Sequence, residues 1–185
     1  MPKTKYLILD GGMVAGYAAK ELVSLGLKPG ELAIVSADSA VPYERPPLSK
    51  SLFSGRDNEA NLLINTADWY REHGIEVRLD TVVEHVDPGK KRVRSNTGKE
   101  FECDYLLLAT GARARKLESP GNDLRGVFYL RSLPDSEMIS TASAGAKTAV
   151  IISGGFIGME VNSRRSAASA EPSATLHGTT LPLFT

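Results

Sequence analysis

One cysteine, one tryptophan and three histidines are all that 185 residues contain of these types. The single thiol, Cys103, excludes an internal disulfide and any dithiol chemistry within this chain. It reads as a small buried or half-buried residue. His73, His85 and His177 are scattered and show neither ligand nor triad spacing, so none is assigned chemistry. Lys plus Arg and Asp plus Glu number 22 each, and a zero net charge gives no reason to expect nucleic acid or an anionic membrane as partner. No apolar run approaches the roughly 18 residues of a membrane-spanning helix. Met1-Pro-Lys-Thr-Lys5 leads straight into an apolar stretch without a secretory apolar region, and a cytoplasmic protein is the expectation. An apolar content of 42% suffices for a core, and the length suits one domain with part of a second.

Against this plain background residues 42–50 stand out: Pro-Tyr-Glu-Arg-Pro-Pro-Leu-Ser-Lys. Proline fixes φ and lacks an N–H, so the stretch is a stiff loop rather than a ladder strand. A stiff loop presenting Arg45 and Lys50 close after a nucleotide-type turn can hold two cations against an anionic or electron-rich cofactor. That combination points to a flavin site.

The turn itself is Asp10-Gly11-Gly12-Met13-Val14-Ala15-Gly16, between the apolar run Tyr6–Leu9 and a helical pattern over Tyr17–Leu25 that Gly26 stops. Ala15, Ala18 and Ala19 are small, with Leu22 and Val23 following, which suits close packing of this helix on a sheet. Glycines in such a turn let the backbone approach a diphosphate, whose charge sits at the helix N-terminus. A second strand, Leu32–Val35, follows. Asp38 comes 26 positions after Gly12, near the roughly 20-residue offset at which an acid bonds an adenosine ribose. A strand-helix corner without a ligand, and a solvated Asp38, are the plain alternatives.

Further on, Ser54–Ala67 is polar and reads as irregular. Asp68–His73 reads as a short helix capped by Thr66 or Asp68 and stopped at Gly74. Glu76–Leu79 and Val82–Val86 are strand-like, Asp87-Pro88-Gly89 is a turn, and Lys91–Glu102 fits a hairpin bent at Asn96-Thr97-Gly98. Tyr105–Ala109 reads as a buried strand ending at Thr110-Gly111. Thr148–Ile152 then leads into Ser153-Gly-Gly-Phe-Ile-Gly158-Met-Glu160, a second strand-turn-helix pattern with serine in the first glycine position. From Asn162 to Thr185 half of the 24 residues are Ser, Ala or Thr. That composition argues against a packed core there, and no apolar helical face is read past Val161.

Residues from about 4 to 161 resemble the flavoprotein pyridine nucleotide oxidoreductases, most closely the monodehydroascorbate reductase, ferredoxin reductase and rubredoxin reductase type. The resemblance implies an α/β, Rossmann-like FAD/NAD(P)-binding fold in three layers, with a parallel central sheet and an antiparallel β-meander. It divides the chain into an FAD-binding domain over residues 1–115, the start of an NAD(P)H-binding domain over 116–161, and an atypical tail over 162–185 expected to be disordered or altered. It implies FAD and NAD(P)H as cofactors. For FAD it implies contacts from Gly11, Gly12, Met13, Val14, Ala15, Asp38, Arg45, Lys50, Val83, Ala109, Thr110, Gly111, Arg113 and Arg131. For the NAD(P)H diphosphate it implies Gly155, Phe156, Ile157 and Gly158. Arg113 and Arg131 also suit a solvated surface role. The resemblance makes Lys50 and Glu160 a catalytic pair beside the flavin, with side chains expected within about 4 Å. Asp10 departs from the family's first glycine, and its carboxylate is expected to weaken FAD binding.

Three functional readings follow. The first is NAD(P)H oxidation through flavin to an external small-molecule or small redox-protein acceptor, without a redox disulfide. The second is a truncated fragment that binds FAD or ADP weakly without turnover. The third is a nucleotide-binding interaction module.

Overall fold

A computed structural model describes residues 3–52, 55–153, 155–168 and 174–176. The chain divides into two compact units, residues 1–44 with 62–112 and residues 45–61 with 113–185. The division is not linear in sequence. Residues 45–61, which hold most of the proline-rich loop, group with the later residues rather than with the domain expected to span 1–115.

In the first unit β1 (Lys3–Leu9), β2 (Leu32–Val35) and β3 (Glu76–Arg78) join β4 (Val83–Asp87), β5 (Arg92–Ser95) and β6 (Glu100–Leu108) in one six-stranded sheet ordered β3-β2-β1-β6-β5-β4. β2 and β6 flank β1 in parallel, with Leu7 opposite Ala33 and Leu106. The apolar runs read at Tyr6–Leu9, Leu32–Val35 and Tyr105–Ala109 thus lie in or at the end of three neighbouring parallel strands. β4, β5 and the first half of β6 pair antiparallel and form the expected meander.

The three layers follow from strand periodicity. Successive side chains point to opposite faces, and β1 and β2 are apolar on both, the mark of a sheet covered on two sides. Ile8, Leu32 and Ile34 pack against Ala15 and Ala19 of helix α1 (Met13–Ser24) and Tyr70 of the short helix α3 (Ala67–Glu72). Leu7, Leu9, Ala33 and Val35 pack on the other face against Val93, Phe101 and Cys103 of the meander. Cys103 is buried, as read.

Several elements differ from the sequence reading. α1 starts at Met13, not Tyr17, because the turn passes directly into helix behind Gly12 as N-cap. Ser54–Ala67 is not wholly irregular: Glu59–Leu62 forms a helical turn, α2. Thr66 caps α3, its hydroxyl accepting the Trp69 N–H, and Gly74 ends it at φ 62°. The hairpin arm and the strand read at Tyr105–Ala109 are one nine-residue strand, β6. Its second half is not buried: Tyr105 is 63% and Leu108 62% exposed, because β6 has β1 on one side there and the meander covers only its first half.

In the second unit Pro46–Ser49 forms a 3-10 helix. Helix α4 (Leu133–Ala144) begins with a capping box of Ser132 and Asp135 and was not foreseen. β7 (Ala149–Ile151) leads into α5 (Phe156–Ala168), and β8 (Ala174–Leu176) pairs with β7 in parallel. α5 continues past Val161 to Ala168 through polar and small residues, and Leu176 is opposite Ile151 in a parallel pair. The remainder of the tail, with His177, lies outside the described residues.

Candidate functional site: two glycine turns and an ion pair

The first turn connects β1 to α1. Gly11 has no room for a side chain, since a Cβ there would lie 2.5 Å from Ser36 Oγ. Gly16 is equally constrained, with Ile64 Cδ1 at 2.9 Å and Pro42 Cβ at 3.0 Å from such an atom. Both glycines thus let α1 sit close to its neighbours. Gly12 is the N-cap and no side chain caps the helix. First-turn amides without a cap, at the positive end of a helix dipole, suit a diphosphate. Met13 and Val14 begin the helix, with Val14 exposed. The Ala15 side chain is fully buried against the sheet, so it serves packing and can meet a ligand only through its backbone.

Asp10 is the discordant residue. Its φ is 81°, a left-handed angle that favours glycine. Its carboxylate Oδ1 accepts the N–H of Gly11 at 2.9 Å, occupying a donor that the turn would otherwise offer to an anion. Asp38 is half-buried and accepts the Tyr43 hydroxyl at 3.0 Å, so it is held in one orientation after β2. Val83 starts β4 beside a register shift in the β4–β5 pairing. Ala109, Thr110 and Gly111 leave the end of β6, where the Ala109 N–H bonds the Leu9 carbonyl at 3.0 Å and Gly111 takes φ 60°.

In the second unit the 3-10 helix ends at Lys50. Lys50 Nζ lies 3.5 Å from Glu160 Oε1, within the expected ion-pair distance. The other Glu160 oxygen, Oε2, accepts the Ser49 hydroxyl at 2.6 Å. The Arg45 guanidinium donates to the Arg131 carbonyl at 2.9 Å, so two residues singled out separately in the sequence are linked through the backbone of one of them. Ser136, buried on α4, donates to the Leu48 carbonyl at 3.0 Å and ties α4 to the 3-10 helix. Neither Ser49 nor Ser136 was singled out in the sequence. The capping pattern Ser132–Asp135, with Pro134 just inside, was the available signal for α4. Arg113 is exposed.

At the second turn Ser153 repeats the behaviour of Asp10 in weaker form, its hydroxyl accepting the Gly155 N–H at 3.3 Å. Gly158 is closely packed, as a Cβ would lie 2.5 Å from that of Ser153. Phe156 and Ile157 are exposed. Among the described residues no group of three or more His, Cys, Asp and Glu side chains could hold a metal ion. No helix of these residues is long and apolar enough to cross a membrane.

A parallel sheet with a glycine turn at the end of its central strand, followed by a second such turn, defines a dinucleotide-binding protein. Residues 4–176 match the model of the pyridine nucleotide-disulphide oxidoreductase family, and the chain belongs to that family. The match runs past Val161, beyond the stretch over which the sequence resemblance was read. Members of the family are FAD-dependent NAD(P)H enzymes. The chain is 42% identical over 170 residues to the peroxisomal monodehydroascorbate reductase 4 of Arabidopsis thaliana, aligning 84% of its own length with 35% of that protein. It is 40% identical over 172 residues to the seedling isozyme of Cucumis sativus, spanning 40% of that protein's length. Among solved structures, putidaredoxin reductase in covalent complex with putidaredoxin superposes with a TM-score of 0.84 at 29% identity, over 94% of this chain and 42% of that one. NADH:rubredoxin oxidoreductase from Clostridium acetobutylicum gives a TM-score of 0.82 at 26% identity, over 95% and 44%.

Proposed function

We propose that the protein is an FAD-dependent NAD(P)H oxidoreductase that passes electrons through flavin to an external acceptor without using a disulfide. The observation that carries this reading is the pairing of Lys50 with Glu160 at 3.5 Å. The opposite charges attract, which draws the ammonium at the end of a stiff proline-rich segment toward Glu160. The flavin would supply the redox chemistry, accepting hydride from the nicotinamide and releasing electrons to the acceptor. The chain's residues bind, orient and tune. Gly11, Gly12 and the first turn of α1 would hold the FAD diphosphate, with Asp38, Val83, Ala109, Thr110 and Gly111 as further contacts. Arg45, Arg113 and Arg131 would add positive charge. Gly155, Phe156, Ile157 and Gly158 would take the NAD(P)H diphosphate. Lys50 would stabilise negative charge developing on the flavin, with Glu160 holding the ammonium in place. The single cysteine supports transfer directly from flavin to an acceptor such as an ascorbate radical, a quinone or a small iron protein.

The Asp10 contact favours a second reading, a chain that binds FAD or ADP weakly without turnover, because the carboxylate uses one of the amides the diphosphate needs. Anaerobic addition of NADH or NADPH to the FAD-loaded protein separates the two. Bleaching of the flavin absorbance band supports the oxidoreductase, and a band that persists at saturating nucleotide supports the weak binder. A protein that takes up no flavin at all leaves the nucleotide-binding interaction module.

A further inference from the structure

Ser49 and Lys50 are adjacent in sequence and meet the two oxygens of one carboxylate. The Ser49 side chain is buried, the residue being 5% exposed, and its hydroxyl lies 2.6 Å from Glu160 Oε2. Its other neighbour, the Pro46 carbonyl, is at 3.4 Å. A carboxylate only accepts, so the hydroxyl donates, and the shorter contact falls in the range of about 2.5–2.7 Å for a charge-assisted bond. Lys50 and Glu160 are by contrast 49% and 30% exposed. A pair that open to solvent holds its partners weakly, by about fivefold at most, and a lysine is a point charge on a flexible stem. The ion pair alone therefore does not fix the ammonium.

We propose that Ser49 is a positioning residue: its buried hydroxyl locks the Glu160 carboxylate, and the locked carboxylate holds Lys50. The proposal rests on the reading of Lys50 and Glu160 given above. The backbone supports it. Ser49 closes the 3-10 helix and Lys50 is its C-cap, so one short rigid element directs one side chain inward and places the next on the same carboxylate. Pro46 and Pro47 stiffen that element.

The test needs no cofactor. The intact protein is treated with an amine-acetylating reagent, and the rate at Lys50 is read by peptide mass spectrometry against the exposed Lys116. E160Q frees the ammonium and should raise the Lys50 rate by more than about fivefold, beyond the scale of an exposed pair. S49A, and S49C, which keeps the volume but offers only a weak thiol donor, should each recover at least half of that increase, while S49T, which keeps the hydroxyl, stays at the wild-type rate. The Lys116 rate should not move in any variant. Wild-type rates in S49A and S49C beside a faster E160Q overturn the role of Ser49 and leave the ion pair standing. A fast S49T overturns it too, since the effect would then follow packing rather than the hydroxyl. An unchanged E160Q removes the ion pair itself, and the role of Ser49 with it.

Discussion

Asp10 Oδ1 accepts the Gly11 N–H at 2.9 Å from a backbone held at φ 81°, so the chain carries its own anion on the turn where a diphosphate is proposed to bind. Two unit charges about 4 Å apart repel by roughly 4 kcal/mol at an effective dielectric near 20, before screening and relaxation. Asp10→Gly removes the charge, frees the amide and suits the positive φ. FAD affinity should rise at least about tenfold, equivalent to about 1.4 kcal/mol. Fold stability should change little, because relief of a strain of about 1 kcal/mol is offset by the greater chain entropy of glycine. Asp10→Asn should fall between the two in FAD affinity. Isothermal titration with FAD reads all three proteins, and an unchanged or weaker Asp10→Gly would count against competition at this turn.

Lys50→Ala tests the role proposed for the ammonium. In FAD-loaded protein it should slow flavin reduction by about tenfold or more, the scale of one lost charge interaction with developing charge, and change FAD affinity less than that. Stopped-flow reduction by NADH beside FAD titration gives the two numbers. The opposite split would make Lys50 a binding residue only.

Thr66 caps α3 through the Trp69 N–H at 3.1 Å. Thr66→Ala should cost about 1 kcal/mol, and Thr66→Ser should restore most of it. Urea denaturation followed by tryptophan fluorescence reports both, since Trp69 sits in the helix whose start is altered.

Burial raises the Cys103 thiol above its ordinary range, with Asp104 and Glu102 adding repulsion and Lys91 opposing them. The folded state therefore keeps its proton to higher pH than the unfolded chain, whose thiol titrates near about 8.5. Below that pH the contribution is fully present. Above it the unfolded chain binds fewer protons, and stability falls as pH rises until the folded thiol also ionises. Between about pH 8 and 10 wild type should lose stability faster than Cys103→Ala, and identical slopes in urea titrations would refute this. The folded thiol should also react slowly with thiol reagents at neutral pH.

How much of this could be read beforehand varies with how local the physics is. The parallel core was legible because Leu7, Ile8, Leu32 and Ile34 lie in runs that are apolar on both faces, a pattern only a doubly covered strand needs. The extent of β6 was not legible. Its alternating first half pairs antiparallel with β5 while the parallel pairing with β1 runs from Glu102 through the apolar second half to Leu108, so two periodicities lie in one strand. The exposure of Tyr105 and Leu108 depends on which neighbours reach that end of β6, which no residue pattern records. α4 escaped because only Leu133 and Ser136 are buried on it, leaving almost no apolar face, although its capping box was in view. The approach of Lys50 to Glu160 came from family resemblance, since no local rule links residues so far apart in sequence. Ser49 gave no sequence signal, because a buried serine is recognised only by the acceptor it meets.

The central claim is that this chain holds FAD on the β1–α1 turn, and the most direct measurement is titration of FAD into the purified protein, followed by flavin fluorescence and absorbance. Saturable binding with a protein-bound flavin band is expected. Gly11→Ala, whose Cβ has only 2.5 Å to Ser36 Oγ, should lose that binding, and Asp10→Gly should bind more tightly. Absence of saturable FAD binding in both wild type and Asp10→Gly, with the fold intact by circular dichroism, would contradict it.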